Sequence, residues 1–311
     1  MTLSRRDVLT GLGATSLLTL GCGKVSSKIT PSSKRMILTF DDFGLSFKHR
    51  LNPLDRDEAI LSVLDKHNIQ AAGFVNGRHV DNSQGDVILR RWGKAGHIIA
   101  NHTWSHENSS QKPVDWVMND IRRNHEFLKT YKGFQPFFRF PFLAEGGVLE
   151  KITDYRIALK AAGYKRAPVT IDTFDWNVSS RLQKYLMKTP KADISAYRNY
   201  YVESTQALAA HYQREAVVLG RPSLPHQVLM HHNILNALCL DDVIKSWKAD
   251  GWTIIPAETA LKHPFYQLEP VTPTRGRSAV SVMLIDKNIS NPPFPQRYLG
   301  FGNKTMDALG L

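Results

Sequence analysis

The chain has 311 residues, of which 42% are hydrophobic, so it can form one large globular domain or two ordinary ones. Beyond the N-terminal segment, no stretch approaches the roughly 20 consecutive apolar residues that a membrane span needs. The formal net charge is +12, but the basic residues are scattered and are not interleaved with stacking aromatics. This argues against nucleic-acid binding and leaves open a basic surface suited to an anionic polymer or envelope.

The first segment carries an export pattern. Arg5 and Arg6 precede an apolar stretch over residues 11–21 that ends at Cys22. The arginine pair resembles a twin-arginine export signal, and residues 18–22 resemble a lipoprotein cleavage box, although Thr19 stands where leucine is usual. We therefore predict a signal over residues 1–22 and a flexible Ser- and Lys-rich tether over residues 23–34. The expected location is the bacterial cell envelope, in the periplasm, with membrane contact only through a lipid on Cys22. An ordinary signal peptide with a chance Arg-Arg pair is the alternative.

Short apolar runs bounded by polar or turn residues predict β-strands that are covered on both faces. These runs are Met36–Phe40, Ala71–Val75, His97–Ala100, Phe137–Phe140, Ala167–Ile171, Gln227–His231 and Trp252–Ile255. Helical patterns lie between them at Asp57–His67, Pro113–Tyr131, Asp154–Ala162 and Asp241–Ala249. The alternation favours parallel βα units, which either a closed barrel or an open doubly wound sheet would satisfy.

Two segments depart from this alternation. Asn177–His226 separates the fifth and sixth predicted strands, and its apolar residues recur at helical spacing, which predicts a helical insertion. The insertion either shapes substrate access or adds core packing. The tail over residues 271–311 has no clear periodicity, and the sequence assigns it no role.

Residues that could bind a metal or transfer protons follow the predicted strands. In chain order they are Asp41-Asp42, His102 with His106, Arg139, Asp175-Trp176, and His231. A parallel α/β barrel brings the carboxyl ends of its strands to one rim, where such barrels keep their chemistry. The spacing of His102 and His106 places two imidazoles on one face of a helical turn. Two histidines and a carboxylate suit Zn²⁺ or another first-row divalent metal. The pattern predicts a metal-assisted hydrolase.

These clusters resemble the five motifs of the polysaccharide deacetylases, carbohydrate esterase family 4 (CE4), which includes chitin-oligosaccharide and peptidoglycan deacetylases. The matching segments are Thr39–Asp42, His102–His106, Arg139–Phe142, Asp175-Trp176 and Leu229–His231. The resemblance implies an α/β fold, a distorted seven-stranded (β/α) barrel over residues 35–270. The predicted helical insertion would lie between strands 5 and 6.

The resemblance also implies a metal centre and a base. Asp42, His102 and His106 would hold one divalent metal, with Zn²⁺ as the default and Co²⁺, Ni²⁺ or Fe²⁺ as alternatives. Asp41 would be the general base that deprotonates a metal-bound water. Arg139 would hold and orient Asp41.

The resemblance further implies a general acid and a pocket for the substrate. His231 would protonate the leaving nitrogen, and Asp175 would pair with His231 and raise its pKa. The backbone N–H of Phe142 would help to stabilise the oxyanion. Trp176 and Leu229 would line the pocket for the acetyl methyl group.

Three positions depart from the family pattern. Phe43 and Gly44 stand where Gly-Pro often follows the two aspartates, so the first loop must take another path. Phe142 replaces the commoner tyrosine, which removes a hydroxyl and leaves the backbone role intact. His232 follows His231 directly, so either could be the acid, and the motif alignment favours His231.

The predicted function is removal of acetyl groups from N-acetylated sugars of a polysaccharide or oligosaccharide, by attack of a metal-bound water. The expected partner is this acetylated glycan, with no nucleic acid, and the enzyme is expected to be a monomer. An O-acetyl esterase or a small-amide hydrolase would use the same site. A catalytically silent glycan-binding lipoprotein is the alternative from another class, and the presence of every metal ligand, base and acid counts against it.

Overall fold

The structure is a computed structural model that describes residues 34–274 and 276–311. The predicted signal, Cys22 and the tether up to residue 33 lie outside the described residues. Residues from Ser33 to Leu311 form one compact unit. Its strands are β1 Arg35–Asp41, β2 Ala72–Val75, β3 Ile98–Asn101, β4 Phe134–Phe138, β5 Lys165–Arg166, β6 Ile171–Asp172, β7 Pro225–His231 and β8 Thr253–Ile254. All of them pair in parallel, in the order β5-β4-β3-β2-β1-β7-β6, and β8 pairs with the first residues of β1.

The sheet must curl, because its two edge strands are nearly consecutive in the chain. Five Cα steps join Arg166 to Ile171, and an extended chain covers at most about 18 Å in that distance. In a flat sheet the edges of seven strands would lie about 29 Å apart. The amide of Ala167 bonds the carbonyl of Phe138 at 2.8 Å on one edge, and the amide of Thr170 bonds the carbonyl of Gln227 at 3.0 Å on the other. The segment 165–172 therefore joins the two edges of a half-barrel.

The predicted α/β barrel is thus confirmed, with two corrections to its strands. The predicted strand Ala167–Ile171 is wrong, since the two short strands flank its centre and do not coincide with it. Pro168 lies in that centre and has no N–H to donate to a ladder. The predicted strand Trp252–Ile255 is reduced to the two residues of β8.

Strand β1 explains the barrel's two apolar layers. Met36, Leu38 and Phe40 belong to one apolar cluster, whereas Ile37 belongs to a second cluster that joins residues of β2, β3 and β4 to residues of later helices. Side chains alternate along a strand, so Ile37 and Asp41 share the concave face. The carboxylate of Asp41 therefore lies at the mouth of the barrel, above an apolar interior.

The α-helices pack against the sheet. They are α1 Pro53–Lys66, α2 Gly77–Val80, α3 Ser83–Lys94, α4 Val114–Leu128, α5 Leu149–Ala161, α6 Asp175–Lys188, α7 Ser195–Val218, α8 Ile234–Ala249, α9 Ala257–Leu261, α10 Ala279–Asp286 and α11 Asn303–Ala308. Shorter 3₁₀ turns occur at Ser109–Gln111, Pro141–Leu143, Pro264–Gln267 and Gln296–Gly302. Within the described residues, no helix has both the length and the apolar character to cross a membrane.

The helical insertion predicted between the fifth and sixth strands is confirmed; it consists of α6 and α7, which lie between β6 and β7 of the structure. Helix α3 was not predicted, because Gly85 and Gly93 weaken its helical pattern. Both glycines permit close backbone contacts: a Cβ on Gly85 would lie 2.0 Å from the carbonyl of Val80, and one on Gly93 would lie 2.1 Å from that of Lys132. The tail also contains structure, since Val280 of α10 is fully buried in the same apolar cluster as Ile37.

Candidate active site

The predicted metal ligands come together at the barrel mouth. Strand β1 ends at Asp41, and the next residue, Asp42, leaves the strand with a φ of 71°. Its Oδ1 lies 3.1 Å from Nε2 of His106 and 3.5 Å from Nε2 of His102. One ligand atom from each of the three residues lies within 4.8 Å of the others, so a single ion can contact all three.

The two histidines lie on an irregular bend and not on a helical turn. Thr103 and His106 have φ values of 65° and 59°, and the amide of His106 donates to Oγ1 of Thr103 at 3.0 Å. Asp120 on α4 accepts from the amides of Trp104 and Ser105 at 3.1 and 3.0 Å. These contacts form the bend and bring His106 back toward His102. The sequence did not single out Asp120.

The three candidate ligands suit a divalent metal both in their spacing and in their protonation states. Nδ1 of His102 lies 2.8 Å from the carbonyl of Arg139, so Nδ1 carries the proton and the lone pair of Nε2 faces Asp42. Such an outer hydrogen bond fixes the tautomer that a metal-binding histidine needs. Burial lowers the pKa of His102 to about 4, which keeps the ring neutral near pH 7.

Asp42 completes the fit. Burial alone would raise the pKa of its carboxyl, but the neighbouring His106 and His231 lower that pKa well below its usual range. Its Oδ1 is buried, and no donor among the described residues is aligned to hydrogen-bond it. A buried anionic oxygen without an aligned donor is costly, and a cation at this point would compensate for it.

Asp41 is held by Arg139, which reaches across the barrel from the end of β4. Nη1 of Arg139 lies 2.7 Å from Oδ1 of Asp41 and 2.7 Å from Oγ1 of Thr39. Nε donates to the carbonyl of Ala167 at 3.0 Å, and the guanidinium lies 3.9 Å from the ring centroid of Phe74. Oδ2 of Asp41 lies 3.6 Å from Nε2 of His102. The arginine therefore fixes one carboxylate oxygen and leaves the other next to the metal ligands.

Asp175 and His231 form the second charged pair. Asp175 is the first residue of α6 and is fully buried, and its Oδ1 lies 2.7 Å from Nδ1 of His231. Nε2 of His231 lies 3.8 Å from Oδ2 of Asp42. Burial opposes a charge on the imidazole, but the carboxylates of Asp175 and Asp42 outweigh it and raise the pKa of His231 to about 10. The ring is protonated at neutral pH, as an acid must be.

The choice between the two adjacent histidines is clear from their surroundings. The side chain of His232 is fully buried, its ring stacks on Phe43 at 4.7 Å, and its Nε2 lies 3.2 Å from Asp57. Phe43 therefore enters the core at the position where the family often has glycine. His231 is the member of the pair that faces the metal ligands.

A cavity of about 520 Å³ opens over these groups. Eight of the ten predicted site residues line it: Asp41, Asp42, His102, His106, Phe142, Trp176, Leu229 and His231. The other two, Arg139 and Asp175, do not line this cavity. Leu229 is buried, whereas Trp176 and Phe142 are exposed and flank the opening. A second cavity of about 270 Å³ shares Asp42, Trp176 and His231 with the first, so the reactive groups lie between two adjoining spaces.

Among the residues of the cavity wall that were missed from the sequence, Asp172 and Phe301 bear most on the site. Asp172 is buried, and burial raises the pKa of its carboxyl to about 6. Its position three residues before Asp175 at the end of a strand was a usable signal. Phe301 comes from the tail, where no pattern in the sequence pointed to the site.

Comparisons with known proteins indicate a family for this chain. Residues 28–167 match the polysaccharide deacetylase family. A peptidoglycan-N-acetylglucosamine deacetylase of Bacillus cereus is 32% identical over 143 residues, which are 45% of this chain and 45% of the relative. The match thus spans less than half the length of that relative.

Solved structures share the fold. A CE4 esterase from Streptococcus mutans aligns with a TM-score of 0.51 at 21% identity, over 73% of this chain and 87% of that one. A CE4 pseudoenzyme from Bacillus anthracis aligns with a TM-score of 0.51 at 18% identity, over 75% of this chain and 66% of that one. Because a pseudoenzyme shares the fold, activity has to be argued from the residues of the site.

Proposed function

Because the chain belongs to the polysaccharide deacetylase family, carbohydrate esterase family 4, we propose that it is a metal-dependent hydrolase of acetylated glycans. The reaction is removal of acetyl groups from N-acetylated sugars of a polysaccharide or oligosaccharide. One observation carries the proposal. The ligand cluster of Asp42, His102 and His106 lies between a carboxylate fixed by Arg139 and an imidazole paired with Asp175.

Asp42, His102 and His106 would hold the divalent metal, Zn²⁺ by default, whose Lewis acidity makes water a better nucleophile and polarises an acetyl carbonyl. The protein's own groups then move the protons. Asp41 accepts the proton of the attacking water on the oxygen that Arg139 leaves free. His231 donates a proton to the leaving nitrogen, which would otherwise depart as a poor amide anion.

The remaining site residues position the substrate. The backbone N–H of Phe142 donates to the developing oxyanion. Trp176 and Leu229 contact the acetyl methyl group, which is small and apolar. Asp175 holds the imidazole of His231 in the orientation that points Nε2 toward the cavity.

The shape and charge of the protein support a glycan chain as substrate. Two adjoining cavities meet at Asp42, Trp176 and His231, so a saccharide can extend to both sides of the reacting acetyl group. The formal net charge of +12 favours an anionic polymer. The relative from Bacillus cereus is a peptidoglycan-N-acetylglucosamine deacetylase, whose substrate is a glycan.

We also propose a location, from the sequence alone. The paired arginines and Cys22 indicate twin-arginine export followed by lipid anchoring, which would hold the enzyme in the periplasm of a bacterial envelope. Envelope glycans would then lie within its reach.

Acetate release tests the proposed function. Zinc-loaded protein lacking residues 1–22 is offered N-acetylglucosamine oligomers, peptidoglycan fragments, acetylated xylan and a small aliphatic acetate ester. We expect acetate from an N-acetylated saccharide. Acetate from xylan or from the small ester alone would favour an O-acetyl esterase. No acetate from any substrate, despite bound metal, would favour the glycan-binding alternative.

A further inference from the structure

The tail places an aromatic side chain at the mouth of the catalytic cavity. We call residues 296–308 the C-terminal arm; it consists of the turn Gln296–Gly302 and helix α11. Phe301 of this arm lines the cavity and is 45% exposed. Its ring centroid lies 5.0 Å from that of Trp176, with 66° between the ring planes. The two rings form a corner beside the reactive groups.

The backbone of the arm is built to present this ring. Gly300, Phe301 and Gly302 have φ values of 57°, 60° and 76°, so three successive residues are left-handed. Glycine adopts this conformation freely, whereas a phenylalanine does so only at a cost in free energy. A Cβ on Gly302 would lie 2.0 Å from the hydroxyl of Tyr200, so only glycine fits there. Strain at an exposed aromatic residue beside a catalytic cavity indicates a functional position.

The arm is also fixed to the element that carries the acid's partner. Asn177 of α6 donates through Nδ2 to the carbonyl of Phe301 at 3.1 Å and to Oδ1 of Asn303 at 2.9 Å. Arg181, one turn later, donates to Oδ1 of Asp307 and to the carbonyl of Leu311, both at 2.7 Å. Helix α6 begins with Asp175, so the position of Phe301 is tied to the helix that orients His231.

We propose that Phe301 is a specificity-determining residue that packs against the sugar ring of the substrate, which rests on the proposed function. Asp41 and His102 are buried in the cavity wall, whereas Trp176 and Phe301 are exposed. An acetyl group that reacts beside the buried pair therefore leaves the attached sugar ring near the exposed aromatic residues. One face of a pyranose exposes mainly C–H groups, and aromatic rings offer large rigid apolar surfaces. The Phe301–Trp176 corner contacts that face and favours saccharides over acetylated molecules without a ring.

Paired substrates test this assignment in the full-length, zinc-loaded enzyme. Phe301→Ala removes the ring, Phe301→Tyr keeps it, and Leu299→Ala is a matched control, because Leu299 is also exposed on the arm and does not line the cavity. For an N-acetylglucosamine oligomer, we expect the Ala variant at residue 301 to raise KM about tenfold, with kcat little changed, from the loss of aromatic contact area. The Tyr variant, the Leu299 variant and hydrolysis of ethyl acetate should stay close to wild type.

The possible outcomes separate the two proposals. Unchanged KM for the oligomer in Phe301→Ala would overturn the inference and leave the proposed function standing. An equal loss on the oligomer and on ethyl acetate would show a structural role and would also overturn it. Wild-type enzyme that cleaves ethyl acetate and not the oligomer would remove the proposed function, and the inference with it. Thermal unfolding and metal content of each variant confirm that the fold is intact.

Discussion

Asp175 binds His231 twice: Oδ1 accepts from the ring Nδ1 at 2.7 Å, and Oδ2 accepts from the backbone amide at 2.8 Å. The first contact orients the imidazole, and the second fixes the end of β7 against the start of α6. Oδ2 also accepts from the side-chain amides of Asn233 and Asn236, both at 2.8 Å. One buried carboxylate thus favours the charged form of the His231 imidazole and fixes the geometry of the strand end that carries it.

Asp175→Asn should therefore affect both catalysis and stability. The neutral amide no longer favours the imidazolium form, and the loss of the acid should lower kcat by about 10²–10⁴-fold. The amide also has fewer acceptor sites for four donors, so the free energy of unfolding should fall by about 1.5–3 kcal/mol for a lost charged hydrogen bond. Acetate release and urea unfolding measure the two effects. A folded variant with wild-type kcat would show that Asp175 does not act through His231.

Asp41→Asn should separate catalysis from metal binding. The substitution keeps the side-chain shape and removes the proton acceptor, so activity should fall by about 10²–10⁴-fold. Metal content after dialysis should match that of wild type, because Asp41 is outside the ligand cluster. Near-wild-type turnover would mean that another group accepts the proton. Loss of metal would assign Asp41 to the ligands.

His106→Ala should lose the metal. It removes one of three ligands, and two remaining protein ligands cannot hold the ion as tightly. Metal per protein, measured by elemental analysis after dialysis, should fall well below one equivalent. His49→Ala is the matched control, since His49 is exposed and lies outside the cavity. A full equivalent of tightly bound metal in the His106 variant would contradict the assigned site.

Acid should destabilise the fold through His226, which lies far from the metal ligands along β7. It is fully buried, its Nε2 lies 3.0 Å from Oε1 of Gln213, and burial lowers its pKa to about 3. The unfolded chain takes up this proton near pH 6.5, before the folded protein does. The free energy of unfolding is therefore unaffected by His226 above about pH 6.5. It decreases as the pH falls from there toward 3, with a slope of up to about 1.4 kcal/mol per pH unit.

Urea unfolding of wild type and His226→Gln between pH 7.5 and 4.5 measures this effect. The glutamine variant should depend less steeply on pH, whatever its stability at neutral pH. Equal slopes in the two proteins would show that His226 already binds its proton in the folded state.

The N-terminal proposal is tested in cells. Replacing both Arg5 and Arg6 by lysine should stop export, so that precursor accumulates in the cytoplasm. Cys22→Ser should release the exported protein from the membrane fraction. Fractionation and immunoblotting give both readouts, and unchanged membrane association of the serine variant would exclude the lipid anchor.

The strand-end clusters could be predicted because each motif is local in sequence and the parallel barrel brings strand ends to one rim. The support around them could not be predicted in the same way. Asp120 holds the histidine bend from another helix, and Phe301 comes from a tail without periodicity, so neither has a local pattern. The four-residue histidine spacing fits an irregular bend as well as a helical turn, because Thr103 and His106 both adopt left-handed backbone. Pro168 interrupts the predicted fifth strand, but the apolar residues around it still have the pattern of a strand.

The segment 165–172, which joins the two edges of the sheet, is held by few strand hydrogen bonds; we call it the seam of the barrel. Strand β1 is paired with β7 over seven residues, whereas β5 and β6 contribute two residues each to the sheet. Local opening in proteins concentrates where few backbone bonds hold a segment. The carbonyl of Ala167, inside this seam, accepts from Nε of Arg139, the residue that holds Asp41. Local opening of this segment would therefore release Arg139, and with it Asp41, from their fixed positions. If Asp41 is the proposed base, partial unfolding would impair proton transfer while the proposed metal ligands, which lie outside this segment, stay in place.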